Sequence, residues 1–239
     1  MGRRNSIAGA ENPVADRFSR VICYPYFALA HRFRWLGREY VPRNGPVIFA
    51  ANHQSFYDPV LLSLAAGRRV TYLAMEHYFG YPLLGRLMRF YGAVSVRAEN
   101  PGPSAYGRMI RALRDGRACG IFPEGGRSGD GLPCRPSPGI GAMALRTGAP
   151  VVPVTIWGAH RAWPPGRALP GPGSIRLLFQ RPIRADHCTG PDSGGGRLAR
   201  HEVTGEVMHR IADGLDQLGF PGRAKAARER LEGYGFPRR

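Results

Sequence analysis

Val47-Ile48-Phe49-Ala50-Ala51-Asn52-His53-Gln54-Ser55-Phe56-Tyr57-Asp58-Pro59 carries the chain from an apolar run through a polar loop into a second apolar run that ends at Ala66. Val47–Ala50 reads as a buried strand, being a short run of β-branched and aromatic residues. Pro59–Ala66 reads as a helix, opened by Asp58, a favoured N-cap, and by Pro59 at the first helical position. Strand, loop and helix recur along the chain. Val70–Met75 is a strand before a helical stretch at Leu83–Phe90, and Ala93–Arg97 is a strand before Ser104–Arg114, which sets Tyr106, Met109, Ile110 and Leu113 on one helical face. Ala118–Phe122 is a strand that enters a glycine-rich loop, the Gly/Pro-rich stretch 129–139 connects to a helix over Ala142–Arg146, and strands follow at Val151–Ile156 and Ile175–Phe179. This alternation predicts an α/β fold, a single layered domain with a mostly parallel central sheet flanked by helices.

The flanks differ from this centre. Residues 1–16 read as a frayed start. Residues 17–36 mix Val21, Ile22, Tyr24, Tyr26, Phe27, Leu29, Phe33 and Trp35 with Arg17, Arg20, Arg32 and Arg34. That mixture predicts an amphipathic helical segment, interrupted near Pro25. It suits either a membrane interface or packing on the domain. Residues 185–196 read as a loop. Leu198, Val203, Val207, Ile211, Leu215 and Leu218 trace a helical stripe, and 219–239 reads as a basic, mobile tail. The expected organisation is residues 1–40 as tail and interfacial segment, 41–218 as the main domain and 219–239 as tail.

Composition narrows the partners. Hydrophobic residues make up 43% of 239, enough for a sizeable core. The formal net charge is +17, which favours an anionic membrane surface, acidic small molecules or nucleic acid. Lys225 is the single lysine, so the abundance of arginine reads as coding bias and the excess charge as the physical quantity. Neither a helix-turn-helix with clustered basic residues nor zinc spacing points to nucleic acid. Cys23, Cys119, Cys134 and Cys188 lack paired spacing, which fits a reducing compartment without disulfides or a metal site. The start holds Met1-Gly2 with Ser6, and Arg3-Arg4, but no apolar signal core follows, so no export signal is expected.

Two loops carry the chemistry. His53 precedes Asp58 by five residues, and a histidine oriented by a carboxylate is a ready general base near neutral pH. On a continuous helix the two would lie about 140° apart, so they meet only across a loop or helix start. The spacing alone is weak, since His187 and Asp192 repeat it inside a glycine-rich loop with no following apolar helix. Context selects His53. The second loop, Phe122-Pro123-Glu124-Gly125-Gly126-Arg127-Ser128, offers an arginine suited to a phosphate. Both loops follow the carboxyl ends of strands, the edge where α/β sheets assemble their sites. Ser55 lacks the Gly-x-Ser-x-Gly turn of an activated nucleophile and reads as a local loop bond, while Cys119 reads as buried and inert. Arg97 also reads as a solvated strand-end charge, and Glu124 with Arg127 also reads as an internal ion pair.

Asn-His-x-Ser-x-x-Asp, followed about 65 residues later by Phe-Pro-Glu-Gly-x-Arg-Ser, resembles the glycerolipid acyltransferase family, specifically the lysophosphatidic acid acyltransferases. Gly92-Ala93-Val94-Ser95-Val96-Arg97 and Ala149-Pro150-Val151-Val152-Pro153-Val154 resemble two further family blocks, in order, and the match spans roughly residues 45–160. The resemblance implies an O-acyltransferase that esterifies a lysophospholipid, 1-acylglycerol-3-phosphate first among the acceptors, at the cytoplasmic face of the cell membrane as a peripheral protein. The same chemistry on another lysolipid or glycolipid acceptor, and a non-catalytic anionic-lipid binder, stand as the alternatives. The implied donor is an acyl thioester, acyl-CoA or acyl carrier protein, which is already activated, so neither cofactor nor metal is expected. His53 would be the base, Asp58 would orient it, Arg127 with Arg97 would hold the acceptor phosphate, and Glu124, Gly125 and Gly126 would shape that site. Two departures fall on the acceptor side. Gly126 stands where the family usually has threonine, and Pro136-Ser137-Pro138-Gly139 stands where it often carries a lysine, with Arg135 the nearest cation.

Overall fold

The apolar run that opens the decisive stretch is the centre of the sheet. The computed structural model describes residues 19–90, 93–96, 103–187 and 196–238. Its strands are β1 (Arg34–Leu36), β2 (Val47–Ala51), β3 (Val70–Met75), β4 (Val94–Val96), β5 (Ala118–Ile121), β6 (Val151–Trp157) and β7 (Arg176–Phe179). The helices are α1 (Tyr24–His31), α2 (Asp58–Ala66), α3 (Glu76–Phe79), α4 (Pro82–Phe90), α5 (Pro103–Arg114), α6 (Gly139–Thr147), α7 (Ala159–Ala162), α8 (Arg197–Gln217) and α9 (Pro221–Gly233). The strands form one seven-stranded sheet ordered β1-β7-β6-β2-β5-β3-β4.

The five strands from β6 to β4 are mutually parallel. β7 joins β6 antiparallel, Val154 opposite Phe179, and β1 pairs parallel with β7. Every residue of β2 is buried, as a strand covered on both faces requires. Its side chains alternate between two cores. Ile48 and Ala50 face the layer with α5, α6, α8 and α9, whereas Val47, Phe49 and Ala51 face the layer with α1, α2 and α7. The stripe Val203, Val207, Ile211 and Leu215 seals α8 onto the first of these.

The described parts of both flanks are built into this core. The segment 17–36, expected to be helical with an interruption near Pro25, ends instead in β1, an edge strand, and Phe27 and Phe33 are buried beside Tyr57 and Trp35. Its preceding turn (Ser19–Cys23) and α1 leave Val21, Ile22, Tyr24, Tyr26 and Leu29 exposed, so the solvent side of this segment is apolar too. Residues 1–16 lie outside the described residues. The expected mobile tail 219–239 is corrected by α9, which buries Ala224, Ala227 and Leu231 against α8. Asp213 on α8 accepts hydrogen bonds from Arg228 and Arg238 at 2.8 Å each, and Phe236 is buried. A dense basic surface hid a small-residue stripe at helical spacing.

Candidate active site

Parallel pairing of β2 with both β5 and β6 brings three loops to one edge of the sheet. The loop after β2 is fastened to both neighbours. On the β6 side, the Asn52 side-chain amide donates to Ile156 O at 2.9 Å and accepts from Ile156 N at 2.8 Å, extending the ladder by a side chain. Gln54 adds a bond to the same carbonyl and accepts from His160 N at 3.3 Å. On the β5 side, His53 N donates to Glu124 Oε1 at 3.1 Å, and Ser128 N donates to His53 O at 2.7 Å. The histidine backbone is thus gripped from both directions by the glycine-rich loop.

Within this frame His53 Nδ1 lies 2.8 Å from Asp58 Oδ2. The same oxygen accepts from Gln54 N at 2.6 Å and Ser55 N at 2.7 Å, and Asp58 is fully buried. A carboxylate oxygen already taking two backbone N–H groups is an acceptor, so Nδ1 carries the proton and Nε2 the free lone pair. The imidazole stacks on Phe122 with centroids 4.1 Å apart, and the side chain keeps 19% of its surface open. Asp58 does not cap its helix, contrary to the expectation. It is the first helical residue, and its carboxylate turns back onto the loop before it. The following Pro59 has no N–H to satisfy, which leaves the carboxylate for the loop and the ring.

Glu124 is a bolt between loops. Burial pushes its carboxyl up to about 8, with the Asp58 charge adding to the rise and the N–H groups of His53 and Cys134 opposing it. Burial thus favours its neutral form, and no ion pair between Glu124 and Arg127 is formed among the described residues. Arg127 instead lies over the Phe56 ring, Cζ 3.7 Å from its centroid. Gly125 turns the loop at φ 72°, and Gly126 is exposed with open space where a Cβ would project. Arg97 lies outside the described residues, as does Asp192 of the rejected pair. Ser55 accepts locally from Tyr57 N, as expected, but its hydroxyl also donates to Trp163 O, 108 residues on, so its bonding is not confined to the loop. Cys119 is buried, which pushes its thiol up to about 12. Asn52, Gln54, Phe56 and Phe122 were not singled out from the sequence. Two amide side chains flanking His53 between apolar strands were the available signal.

The exposed apolar segment sits close to this loop. Tyr26 hydrogen-bonds Tyr57 at 2.8 Å, and Phe27 meets the Tyr57 ring edge to face at 4.8 Å.

Fold and site together define an α/β protein with a carboxylate-oriented histidine, and an arginine with no carboxylate partner among the described residues, at the carboxyl edge of a parallel sheet. The family model described as Acyltransferase matches residues 32–157, just over half of the chain, and the chain belongs to that family. It is 28% identical over 174 residues to the chloroplastic 1-acyl-sn-glycerol-3-phosphate acyltransferase LPAT1 of Arabidopsis thaliana, covering 71% of this chain and 48% of that one. The 1-acyl-sn-glycerol-3-phosphate acyltransferase of Bacillus subtilis is 26% identical over 182 residues, covering 76% of this chain and 88% of that one. The crystal structure of the 1-acyl-sn-glycerophosphate acyltransferase PlsC from Thermotoga maritima superposes with a TM-score of 0.71 at 26% identity, covering 87% of this chain and 79% of that one. The chain spans about half the length of the chloroplastic relatives it matches.

Proposed function

We propose that this chain is an O-acyltransferase that moves a fatty acyl group from an acyl thioester to the free hydroxyl of 1-acylglycerol-3-phosphate, giving phosphatidic acid and a free thiol. The observation that carries the reading is the His53–Asp58 pair, with Nε2 left free beside an arginine that no carboxylate neutralises among the described residues. Nε2 takes the proton of the acceptor hydroxyl as its oxygen attacks the thioester carbonyl. The tetrahedral intermediate collapses by breaking the C–S bond, and the imidazolium returns its proton to the departing sulfur. Asp58 holds the ring and balances its positive charge between those steps. Arg127 fixes the acceptor through its phosphate, and Arg97 is its second candidate partner in that role. Acyl-CoA and acyl carrier protein both fit as donors.

The acceptor and product are lipids, so we place the site at a membrane surface. The support is the apolar face of Val21, Ile22 and Leu29, the net charge of +17, and the contact of α1 with Tyr57. No helix among the described residues is long and apolar enough to cross a membrane. The reading is of a peripheral protein on the cytoplasmic face of the cell membrane.

The test is thiol release from an acyl thioester across a panel of lyso acceptors. Release is expected with 1-acylglycerol-3-phosphate and lost in His53→Ala. Equal release by His53→Ala would remove the base assignment, and preference for another lysolipid or a glycolipid would reassign the acceptor. Deleting residues 1–40 is not a clean test of membrane contact, because Phe27 and Phe33 belong to the core. Ile22→Glu with Leu29→Glu alters exposed positions only, and the pair should abolish co-sedimentation with anionic vesicles.

A further inference from the structure

Phe56 and Tyr57 occupy the middle of the loop between the base and its carboxylate, and they point to different destinations. Tyr57 is buried under α1, whereas Phe56 keeps 38% of its surface exposed and carries Arg127 on its face. Phe56 is itself braced, edge to face with Tyr78 at 5.7 Å and tilted against Trp163 at 5.4 Å. Arg127 Nη1 is buried and has no hydrogen-bond partner among the described residues.

A long guanidinium side chain is costly to immobilise, and its seat decides what it can still do. A carboxylate seat would consume its N–H donors and cancel its charge. An aromatic seat attracts the cation through the ring face and leaves the charge and the in-plane N–H groups free. Nη1 is thus withdrawn from water but not spent on the protein, the state expected of a donor kept for an incoming anion.

We propose that Phe56 is a positioning residue that presents Arg127 to the phosphate of the acceptor. It rests on the acyl transfer proposed above and extends it to how the acceptor is measured. Phe56 stands three residues after His53 on the same fastened loop. The seat of the phosphate anchor and the base therefore move as one body, and the distance from phosphate to reacting hydroxyl becomes a property of that loop. The acceptors favoured are those with a phosphomonoester at one fixed distance from a free hydroxyl.

The experiment compares wild type, Phe56→Leu, Phe56→Met and Phe56→Tyr in thiol release at saturating thioester. One acceptor is 1-acylglycerol-3-phosphate and the other is a phosphate-free monoacylglycerol. Phe56→Leu and Phe56→Met should raise KM for the phosphorylated acceptor about tenfold, between the exposed and desolvated limits of a cation–π contact, with kcat changed less than about threefold. The loss should be confined to the phosphate-bearing acceptor, Phe56→Tyr should retain wild-type KM, and Phe56→Leu should add nothing in an Arg127→Ala background. The proposal is overturned by unchanged KM in both non-aromatic variants, by a tyrosine variant as impaired as leucine, or by equal losses on the two acceptors. Wild type that releases no thiol with any acceptor sinks the acyltransferase reading, and this proposal with it.

Discussion

Asp58→Asn separates the two jobs of one oxygen. Asp58 Oδ2 accepts from His53 Nδ1, Gln54 N and Ser55 N at 2.8, 2.6 and 2.7 Å. Removing it in Asp58→Ala strands two buried backbone N–H groups, at about 1–3 kcal/mol each. The resulting loss of about 2–6 kcal/mol is a large share of a total stability of about 5–15 kcal/mol. Asparagine behaves differently. Its amide can face the two backbone donors only with its oxygen, so that oxygen must take the place of Oδ2. Nδ1–H then still finds an acceptor, the ring keeps its tautomer, and what disappears is the negative charge. A hydrogen bond to a charged group contributes about 1.5–3 kcal/mol and a neutral one about 0.5–1.5, a difference of about 1–2 kcal/mol, or about 5–30-fold in kcat. His53→Ala should cost about 10²–10⁴-fold, the range of a general base. The assay is thiol release alongside urea melts of all three variants. Asp58→Asn that melts like a folded protein yet is as inactive as His53→Ala would refute the argument that backbone donors fix the amide and hence the tautomer. Full activity would refute any role for the charge.

Three further outcomes follow from the loops around this pair. Glu124 holds, up to about pH 8, a proton that the unfolded chain releases near 4.5, so stability falls as pH rises through that window and levels off above it; Glu124→Gln should flatten the decline in urea midpoints between pH 5 and 8. Arg230 on α9 holds the Asp130 carboxyl well below the usual carboxylate range through contacts of 3.1 and 2.6 Å. That stabilisation is present above the ordinary carboxylate value and fades as pH falls through the lowered one. Arg230→Ala should therefore cost about 1 kcal/mol or less at pH 7, given the exposure of the pair, and nothing in strong acid, as urea melts across pH will show. Gly126→Thr enters open space and should melt within about 0.5 kcal/mol of wild type, whereas Gly125→Ala must hold a side chain at φ 72° and should lose about 1–2 kcal/mol.

What could be read from residue order was whatever a single segment encodes. β2 declared itself because a strand buried on both faces needs an unbroken apolar run, and the His53–Asp58 pair because its loop opens a helix at Pro59. β1 escaped because three residues, Arg34-Trp35-Leu36, are too few to show a period, and only Trp35 turns partly inward. β7 was placed but its direction was not, since a strand's own residues do not say which way its neighbour runs. The resemblance implies that Glu124 shapes the acceptor side, but no single segment shows its bond to the loop of His53. That partner, His53 N, lies 71 residues away and adjoins it only through the pairing of β2 with β5. Asn52 and Gln54 depend in the same way on β6, 104 and 102 residues on.

These pair-dependent contacts explain how His53, the proposed base, can be a loop residue and still be held in place. Loops move when their backbone groups bond to water. Here His53 N and His53 O both bond to the β5 loop, Gln54 N and Ser55 N bond to Asp58, and Asn52 and Gln54 bond to β6. The loop therefore carries the rigidity of the sheet beyond the end of β2. A general base gains from that only if the acceptor is measured from the same frame. The glycine loop that grips His53 through Glu124 and Ser128 also carries Arg127 between them, and Phe56 closes the circuit from the other side. The proposed base and the proposed anion anchor are thus carried on one interlocked unit. A substitution that loosens it, such as Asn52→Leu, should lower kcat and raise acceptor KM together, while one at Arg127 alone should raise KM alone.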